Sequence, residues 1–222
     1  IVVFERSGYI SYANCGLPYY IGDVITDAEE LTLQTPESFY SRFRVDMRVH
    51  HEVTAIHPEK KTVSVKNLKT GEEFEESYDK LILSPGAKPT QPRFSGTELD
   101  KVFTLRTVED TLRIKKYINQ NHPKSVVLAG GGFIGLELAE NLRELGMDVT
   151  IVQNGKQLMN LFDHDMASFI HNEMRKHGVK LALGHTVEGF EDRDVGVDVL
   201  LKDEAPLHAA LVVPAIGAPP DT

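Results

Sequence analysis

The second half of the chain alternates short apolar segments with amphipathic ones. Residues 125–129 form an apolar run that leads into three glycines, and the following segment, FIGLELAENLRELG, repeats its apolar positions with a helical period as far as Gly146. The next segment, MDVTIV, is again a short β-branched run. This order predicts a strand–helix–strand crossover over residues 125–152, which is how two parallel strands are connected. The predicted fold class is therefore α/β.

The first part of the chain predicts strands, a helix and a hairpin. Residues 1–4 and 81–87 are short apolar runs, so each is predicted to be a buried strand. Thr35 followed by Pro36 has the order of an N-cap and a first helical position, which predicts a helix from there. Turn residues at 69–71 separate two alternating segments and predict a hairpin with polar outer faces.

Two prolines between these halves indicate a domain boundary. Pro89 and Pro92 interrupt the chain, so we place the boundary near Gln91. Beyond it, residues 107–119 and 165–177 are predicted helices, the first capped by Thr107. Weaker strands and the apolar segment LVVPAIG follow, which predicts a β-meander returning to the parallel sheet.

Composition and charge exclude several classes of function. The 222 residues carry a formal net charge of −9, which argues against a general nucleic-acid binder, because phosphate binding needs clustered lysine and arginine. No apolar run reaches the roughly 18 residues of a membrane span, so no membrane partner is expected. The nine histidines have no metal-ligand spacing, and no metal site is expected. The chain starts inside an apolar run without an initiator methionine, so we expect it to be cropped at its beginning.

A glycine turn follows the apolar run of residues 125–129. It consists of Gly130, Gly131, Gly132, Phe133, Ile134 and Gly135, which fits G-x-G-x-x-G in the required strand–turn–helix context. Gly130 would permit the tight turn, Gly132 would let the backbone approach a pyrophosphate, and Gly135 would let the helix pack close to the strand. Amides at the helix N-terminus would then face the phosphates. The alternative is a structural glycine turn without a ligand.

The position that selects between the two nicotinamide dinucleotides departs from the common pattern. An acidic residue at the end of the second strand holds the ribose hydroxyls in NAD-binding proteins. Here that position is Gln153, which does not repel a 2′-phosphate, and Lys156 stands nearby. Most lysines are exposed, so an ordinary surface lysine is the readier explanation of Lys156. NADH and NADPH both remain open as the cofactor.

The single cysteine, Cys15, lies in the loop segment SYANCGLPYY. One cysteine excludes an internal disulfide framework. A lone cysteine is either a small buried apolar residue or a reactive thiol, and the residues alone leave both open. Its polar neighbours Ser11 and Asn14 make the segment unlike a core strand.

Several segments in a fixed order carry a family resemblance. They are IVVFER, SYANCGLPYYIG, FEESYDKLILSPGAKP, FTLRTVEDTLRIK, VVLAGGGFIGLELAENL and VVPAIGAPPDT. Together they resemble the single-cysteine branch of the pyridine nucleotide–disulfide oxidoreductases, and the surroundings of Cys15 are most similar to those of the coenzyme A-disulfide reductases. The resemblance implies a Rossmann-like NAD(P)-binding domain with a β-meander plus a truncated FAD-binding domain. It divides the chain into residues 1–91 (partial FAD-binding), 92–216 (NAD(P)-binding) and 217–222 (the start of the return to the FAD domain).

The resemblance also implies roles for individual residues. Cys15 matches the redox-active thiol that forms a mixed disulfide with coenzyme A. Ser11 and Asn14 match substrate contacts, and Arg42 is adjacent to the position, Phe43, where some relatives carry a basic residue for the coenzyme A phosphates. The matches to FAD contacts are Glu5, Arg6, Val53, Ser84, Pro85 and Gly86. The matches to the nicotinamide dinucleotide site are the glycine turn, Glu137 and Gly217.

The implied parent enzyme is a cytoplasmic homodimer that uses FAD and NADH or NADPH to reduce coenzyme A disulfide or a related small disulfide, persulfide or polysulfide. The first FAD glycine motif and the dimerisation domain are expected to lie outside this chain. Two alternatives stay open. One is an NADH oxidase or peroxidase in which Cys15 cycles through a sulfenic acid. The other is a nucleotide-binding module without catalysis.

Overall fold

The computed structural model of the chain describes residues 1–90 and 95–221, so the boundary predicted near Gln91 lies outside the described residues. Helices α1 to α5 are Leu17–Ile21, Pro36–Phe43, Val108–Asn121, Phe133–Glu144 and His164–Lys176. Strands β1 to β7 are Val2–Glu5, Ser11–Tyr12, Thr32–Gln34, Asp46–Val49, His51–His57, Thr62–Asn67 and Glu73–Ser77. Strands β8 to β14 are Ser125–Ala129, Asp148–Gln153, Lys180–Leu183, Val187–Asp192, Val197–Leu201, Leu207–Ala209 and Leu211–Pro214. Short 3₁₀ turns occur at Asn14–Gly16 and Ala28–Leu31.

The chain forms two compact units. The first contains Ile1–Ala13 and Ala28–Pro85, and the second contains Asn14–Asp27 together with the described residues from Gly86 onward. The segment Asn14–Asp27 thus groups with the second unit, whereas the sequence places it within the first domain. The reason is packing, because α1 lies against α3 and α4. The assignment of the two parts to FAD and to the nicotinamide dinucleotide stays a prediction.

A parallel sheet forms the centre of the second unit, with the order β10-β9-β8-β14. The crossover from β8 through α4 to β9 confirms the predicted strand–helix–strand connection. The interface between the sheet and α4 is apolar, since Leu128 and Ile151 in the sheet and Leu138 and Leu142 on α4 are fully buried. Burial of each such side chain contributes about 1.5–3 kcal/mol relative to leaving it in water. The predicted α/β class is confirmed.

An antiparallel meander, β11-β12-β13, completes the second unit. Its buried face, with Phe190 and Val199, packs into one apolar cluster with Val127, Val152 and Val212 of the parallel sheet. The sequence predicts two weak strands in this region, and the structure has three.

The first unit is built from smaller sheets. β1 pairs with β4 in parallel, β5-β6-β7 form an antiparallel meander, and β2 pairs with β3. Helix α2 begins as predicted at Thr35, whose hydroxyl accepts a hydrogen bond from the Ser38 amide at 3.2 Å while the Ser38 hydroxyl accepts one from the Thr35 amide. The hairpin between β6 and β7 turns at residues 68–72, which confirms the predicted turn.

Two predictions about buried strands are wrong. Residues 1–4 contribute to strand β1, but Val2 and Val3 are exposed, because the strand pairs with β4 alone among the described residues. Residues 81–87 form no strand, and Ile82 is 87% exposed. In both cases the apolar run alone predicts burial, but burial also needs a second layer to cover the run.

Candidate active site

The glycine turn has the backbone that its sequence predicts. Gly130 has φ +124°, a backbone conformation that residues with a Cβ rarely adopt. A Cβ there would also overlap the Ala215 carbonyl. A Cβ at Gly135 would overlap the Gly130 carbonyl, so glycine at 135 is what lets α4 pack onto the turn. At Gly132 a Cβ would meet nothing within 4 Å. The space beside Gly130 and Gly135 is therefore occupied by the protein's own backbone, whereas Gly132 faces open space.

Open space at Gly132 fits the phosphates of a dinucleotide. Gly132 is the N-cap of α4 and makes no side-chain capping hydrogen bond. The first turn of α4 carries no acidic side chain, and its first residue, Phe133, is 59% exposed. Uncapped amides at a helix N-terminus attract anions through their N–H groups and the helix dipole. The residues present therefore fit a pyrophosphate held on backbone amides, with Ile134 half-buried behind them.

Gln153 is tied to this turn. It is the last residue of β9, it is 9% exposed, and its side-chain Oε1 accepts a hydrogen bond from the Gly131 amide at 3.0 Å. The neighbouring Gly130 amide donates to the Val152 carbonyl at 2.8 Å. Lys156, three residues beyond β9, is exposed.

The segment after β9 packs on the glycine turn and is held by His171, which the sequence analysis did not single out. His171 on α5 is buried, and its Nε2 accepts a hydrogen bond from the Leu158 amide at 3.0 Å. Leu158 in turn lies against Gly131, and the Met159 amide donates to the Gly131 carbonyl at 2.8 Å. Burial lowers the pKa of His171, and the positive charge of Arg175 acts in the same direction. A lowered pKa keeps the imidazole neutral, which an acceptor nitrogen requires.

Cys15 is exposed and lies in the 3₁₀ turn that leads into α1. The side chain of Asn14, the preceding residue, accepts a hydrogen bond from Arg106 Nη1 at 2.7 Å. Arg106 is held just before α3, where its amide donates to Asp110 at 3.0 Å. Arg106 was not among the predicted site residues. It is separated from Asn14 by 92 positions, and local patterns do not reveal such a contact.

Helix α1 is anchored at its other end by a buried lysine. Lys115 of α3 is 8% exposed, donates to the Ile21 carbonyl at 2.9 Å and pairs with Asp23 at 2.7 Å. On the other side Gly22 lies so close to α4 that a Cβ would fall 2.6 Å from the Asn141 Cβ. The segment that carries Cys15 is therefore fixed to the two helices that flank the glycine turn.

Acidic groups of α4 lie near this segment. Burial raises the pKa of Glu137, a predicted dinucleotide contact, and the negative charge of Glu140 adds to the effect. The same two carboxylates raise the pKa of Tyr19 on α1, with Glu140 contributing most. Protonated forms of Glu137 and Tyr19 are thus favoured relative to their exposed counterparts.

The residues predicted to contact FAD or substrate in the first unit are arranged as follows. Glu5, at the end of β1, accepts a hydrogen bond from the Ser7 amide at 2.7 Å, and Arg6 pairs with Glu52 at 3.6 Å. Val53 is exposed on β5, beside a bulge in its pairing with β6. Ser11 is half-buried in β2. The Arg42 guanidinium lies 5.0 Å from the centre of the Phe43 ring.

The remaining predicted residues lie outside the helices and strands. Ser84, Pro85 and Gly86 are exposed and belong to no strand, and Gly86 has φ +75°. Gly217 has φ +112°, and its carbonyl accepts a hydrogen bond from the Thr90 amide at 2.8 Å. A groove of about 680 Å³ on the second unit, between residues 97–104 and α3, includes none of the predicted site residues.

Comparison with known proteins identifies the family. The family model described as pyridine nucleotide-disulphide oxidoreductase matches residues 1–222. The chain belongs to this family. Its members combine FAD with a nicotinamide dinucleotide, and the α/β domain with the glycine turn is the Rossmann-type domain of the family.

Individual members are similar over the whole chain. A coenzyme A disulfide reductase of Staphylococcus aureus (strain MRSA252) is 38% identical over 222 residues, and the match covers 49% of that protein. The crystal structure of reduced Bacillus anthracis CoADR-RHD has 45% identity and a TM-score of 0.95, covering 100% of this chain and 40% of that one. A water-forming NADH oxidase from Lactobacillus brevis, bound to NADH, has 33% identity and a TM-score of 0.92, covering 100% of this chain and 48% of that one. The chain thus spans about half the length of the curated relatives it matches.

No helix in residues 1–90 and 95–221 is long and apolar enough to cross a membrane. Over the same residues no group of three or more histidine, cysteine, aspartate or glutamate side chains is arranged to hold a metal ion.

Proposed function

We propose that this chain supplies the redox cysteine and the dinucleotide site of a flavin-dependent NAD(P)H disulfide reductase that acts on coenzyme A disulfide or a related small disulfide, persulfide or polysulfide. The observation that carries the proposal is the placement of Cys15. The only cysteine of the chain is exposed, and helix α1, which begins two residues after it, packs directly on α4, the helix of the open glycine turn. The similarity to coenzyme A disulfide reductase over all 222 residues supports the choice of substrate.

The chemistry follows from having one thiol. The Cys15 thiolate attacks one sulfur of the disulfide, forms a mixed disulfide and releases one thiolate. Two electrons and a proton then cleave that mixed disulfide, which restores Cys15 and releases the second thiol. The electron pair would come from NAD(P)H through FAD, which Glu5, Arg6 and Val53 would help to hold. The net reaction consumes one NAD(P)H, one proton and one disulfide and yields one NAD(P)+ and two thiols.

We assign the other residues by the same proposal. Amides around Gly132 hold the dinucleotide pyrophosphate, and Glu137 lies on the next turn of the same helix. Asn14, oriented by Arg106, and Ser11 contact the incoming disulfide, and Arg42 contributes positive charge for its phosphates.

The FAD contacts, the domain division and the assembly are part of the same proposal. Glu5, Arg6 and Val53, with the segment Ser84, Pro85 and Gly86, contact FAD. Gly217 marks the return of the chain toward it. We further propose that the enzyme acts as a homodimer in the cytoplasm.

The test is the state of Cys15 in the intact protein. Intact-mass spectrometry before and after dithiothreitol should show the loss of one small thiol, because no second cysteine of this chain can pair with Cys15. Cys15→Ser should show no such loss and no disulfide reduction, since a hydroxyl cannot form the intermediate, while dinucleotide binding persists. Full disulfide-reductase activity in Cys15→Ser would refute the proposal.

A second candidate function rests on one comparison. The similarity to a water-forming NADH oxidase favours a cysteine that cycles through sulfenic acid. Oxygen consumption with NAD(P)H in the absence of any disulfide distinguishes the two reactions. A protein without flavin absorbance and without either activity would instead be a nucleotide-binding module.

A further inference from the structure

The segment that packs on the glycine turn has a backbone that residues with a side chain disfavour. Met159 has φ +49° and is 3% exposed, although residues with a Cβ rarely adopt a positive φ. Such a backbone persists only where the surrounding contacts determine it. Here the Met159 amide donates to the Gly131 carbonyl at 2.8 Å, and the Leu158 side chain fills the space beside Gly131. Residues 158–159 therefore fix the residue that precedes the open position at Gly132.

His171 of α5 holds the same two residues from the other side. The Leu158 amide donates to His171 Nε2 at 3.0 Å, and both residues are buried. An imidazole nitrogen accepts a hydrogen bond only while it carries no proton, so the ring is neutral and its proton is on Nδ1. Protonation of the ring would set an N–H at Nε2 against the Leu158 N–H, which breaks the hydrogen bond and brings two donors together.

The surroundings of His171 favour its neutral form. Burial lowers the pKa of the imidazole, and the charges of Arg175 and His164 on the same helix act in the same direction. Residues 154–162 and strand β10, which lie against α5, carry only exposed lysines as titratable groups, namely Lys156 and Lys180. None of these groups is a carboxylate that would stabilise a protonated ring. The hydrogen bond to Leu158 is therefore present at neutral pH and is lost in mild acid.

We propose that His171 is a pH-sensitive switch of the dinucleotide site: its neutral ring holds residues 158–159 against Gly131, and its protonation releases them and weakens dinucleotide binding. The inference rests on the dinucleotide site of the proposed function and adds its regulation. Because only the neutral form binds tightly, the apparent dissociation constant should rise about tenfold for each pH unit below the pKa of His171. By linkage, dinucleotide binding should also expel the proton from a protonated His171.

The test is calorimetric titration of the intact protein with NAD+ over the range in which histidine titrates, from about pH 8 to about pH 5. NAD+ is the probe because its pyrophosphate does not titrate in this range. The affinity should be constant in the upper part of the range and fall several-fold in the lower part. Titrations at about pH 6 in two buffers of different ionisation enthalpy should show that protons are released on binding.

His171→Gln keeps an acceptor near the position of Nε2 but cannot gain a proton, so its affinity for NAD+ should change little with pH. His177→Gln is the matched control, because His177 is an exposed histidine at the end of the same helix. This variant should keep the pH dependence of the unmodified protein.

Hydrogen exchange follows the switch without any ligand. After correction for the intrinsic effect of pH, the amides of residues 158–159 should lose protection as the pH falls, and they should keep it in His171→Gln. Equal affinity at every pH, binding without proton release, protection that does not depend on pH, or a pH dependence that persists in His171→Gln overturns the inference. Circular dichroism checks that His171→Gln folds, and proton release and exchange in the unmodified protein decide if it does not.

The outcomes separate this inference from the proposed function, since NAD+ binding and hydrogen exchange involve no reaction. A protein whose residues 158–159 open in acid while its affinity for NAD+ falls, but which reduces no disulfide, retains the inference and loses the function. A disulfide reductase whose affinity for NAD+ does not change with pH retains the function and loses the inference.

Discussion

The anchor between Lys115 and α1 gives the sharpest test of how the Cys15 segment is held. Lys115→Met removes the ammonium that donates to the Ile21 carbonyl and pairs with Asp23, but it keeps an unbranched stem of similar length. A hydrogen bond from a charged donor contributes about 1.5–3 kcal/mol when it is buried. The ion pair adds little, because the Asp23 side chain is 57% exposed to solvent. We expect the second unit to lose about 2 kcal/mol in its free energy of unfolding.

Two measurements check this expectation. Urea unfolding of the variant should show a lower midpoint at an unchanged slope, and hydrogen exchange followed by mass spectrometry should show faster exchange in residues 17–24. Lys116→Met is the matched control, since Lys116 neighbours Lys115 on α3 but is exposed, and its effect should stay within about 0.5 kcal/mol. Equal midpoints for the two variants, or unchanged exchange in α1, would show that Lys115 does not hold the segment.

Two further predictions concern the turn and its support. Gly132→Val should leave the melting temperature nearly unchanged, because a Cβ at this position meets nothing within 4 Å and the backbone there is extended. The same variant should weaken dinucleotide binding more than tenfold in calorimetry. Tight binding by this variant would mean that the pyrophosphate does not approach Gly132. For His171, whose pKa is lowered from 6.5, the unfolded state binds the proton more readily, so stability should be fully present above pH 6.5 and fall as pH drops through the lower folded pKa. His171→Asn should flatten that pH dependence in urea unfolding, and an unflattened profile would assign it to another group.

The parts of the fold that the sequence predicted are those that local sterics and periodicity specify. The glycine turn is the clearest case. Position 130 has a positive φ and position 135 has no room for a Cβ, and only glycine meets either condition without strain. The N-caps Thr35 and Thr107 were predicted on similar grounds, and both hydroxyls accept a hydrogen bond from the amide three residues on.

The wrong predictions concern burial rather than local conformation. The apolar runs at residues 1–4 and 81–87 resemble β8 in composition, and β8 is buried because α4 and two neighbouring strands cover it. The composition of one segment does not show whether other helices or strands pack over it. Burial is a property of the whole arrangement, and an isolated apolar run predicts only the tendency toward it.

The same distinction applies to the candidate site. The proposal that Cys15 is the reactive residue came from the family resemblance of the segment around it, but the surroundings of Cys15 in space could not be predicted from the sequence. Arg106 reaches Asn14 across 92 positions, and Lys115 reaches Ile21 across 94. Both come from residues around α3, whose sequence pattern indicates only an amphipathic helix with a capped start. These contacts tie the thiol-bearing segment to the unit that carries the glycine turn, so substitutions at Lys115 should lower the proposed disulfide reduction through the position of Cys15 and leave the proposed dinucleotide site intact.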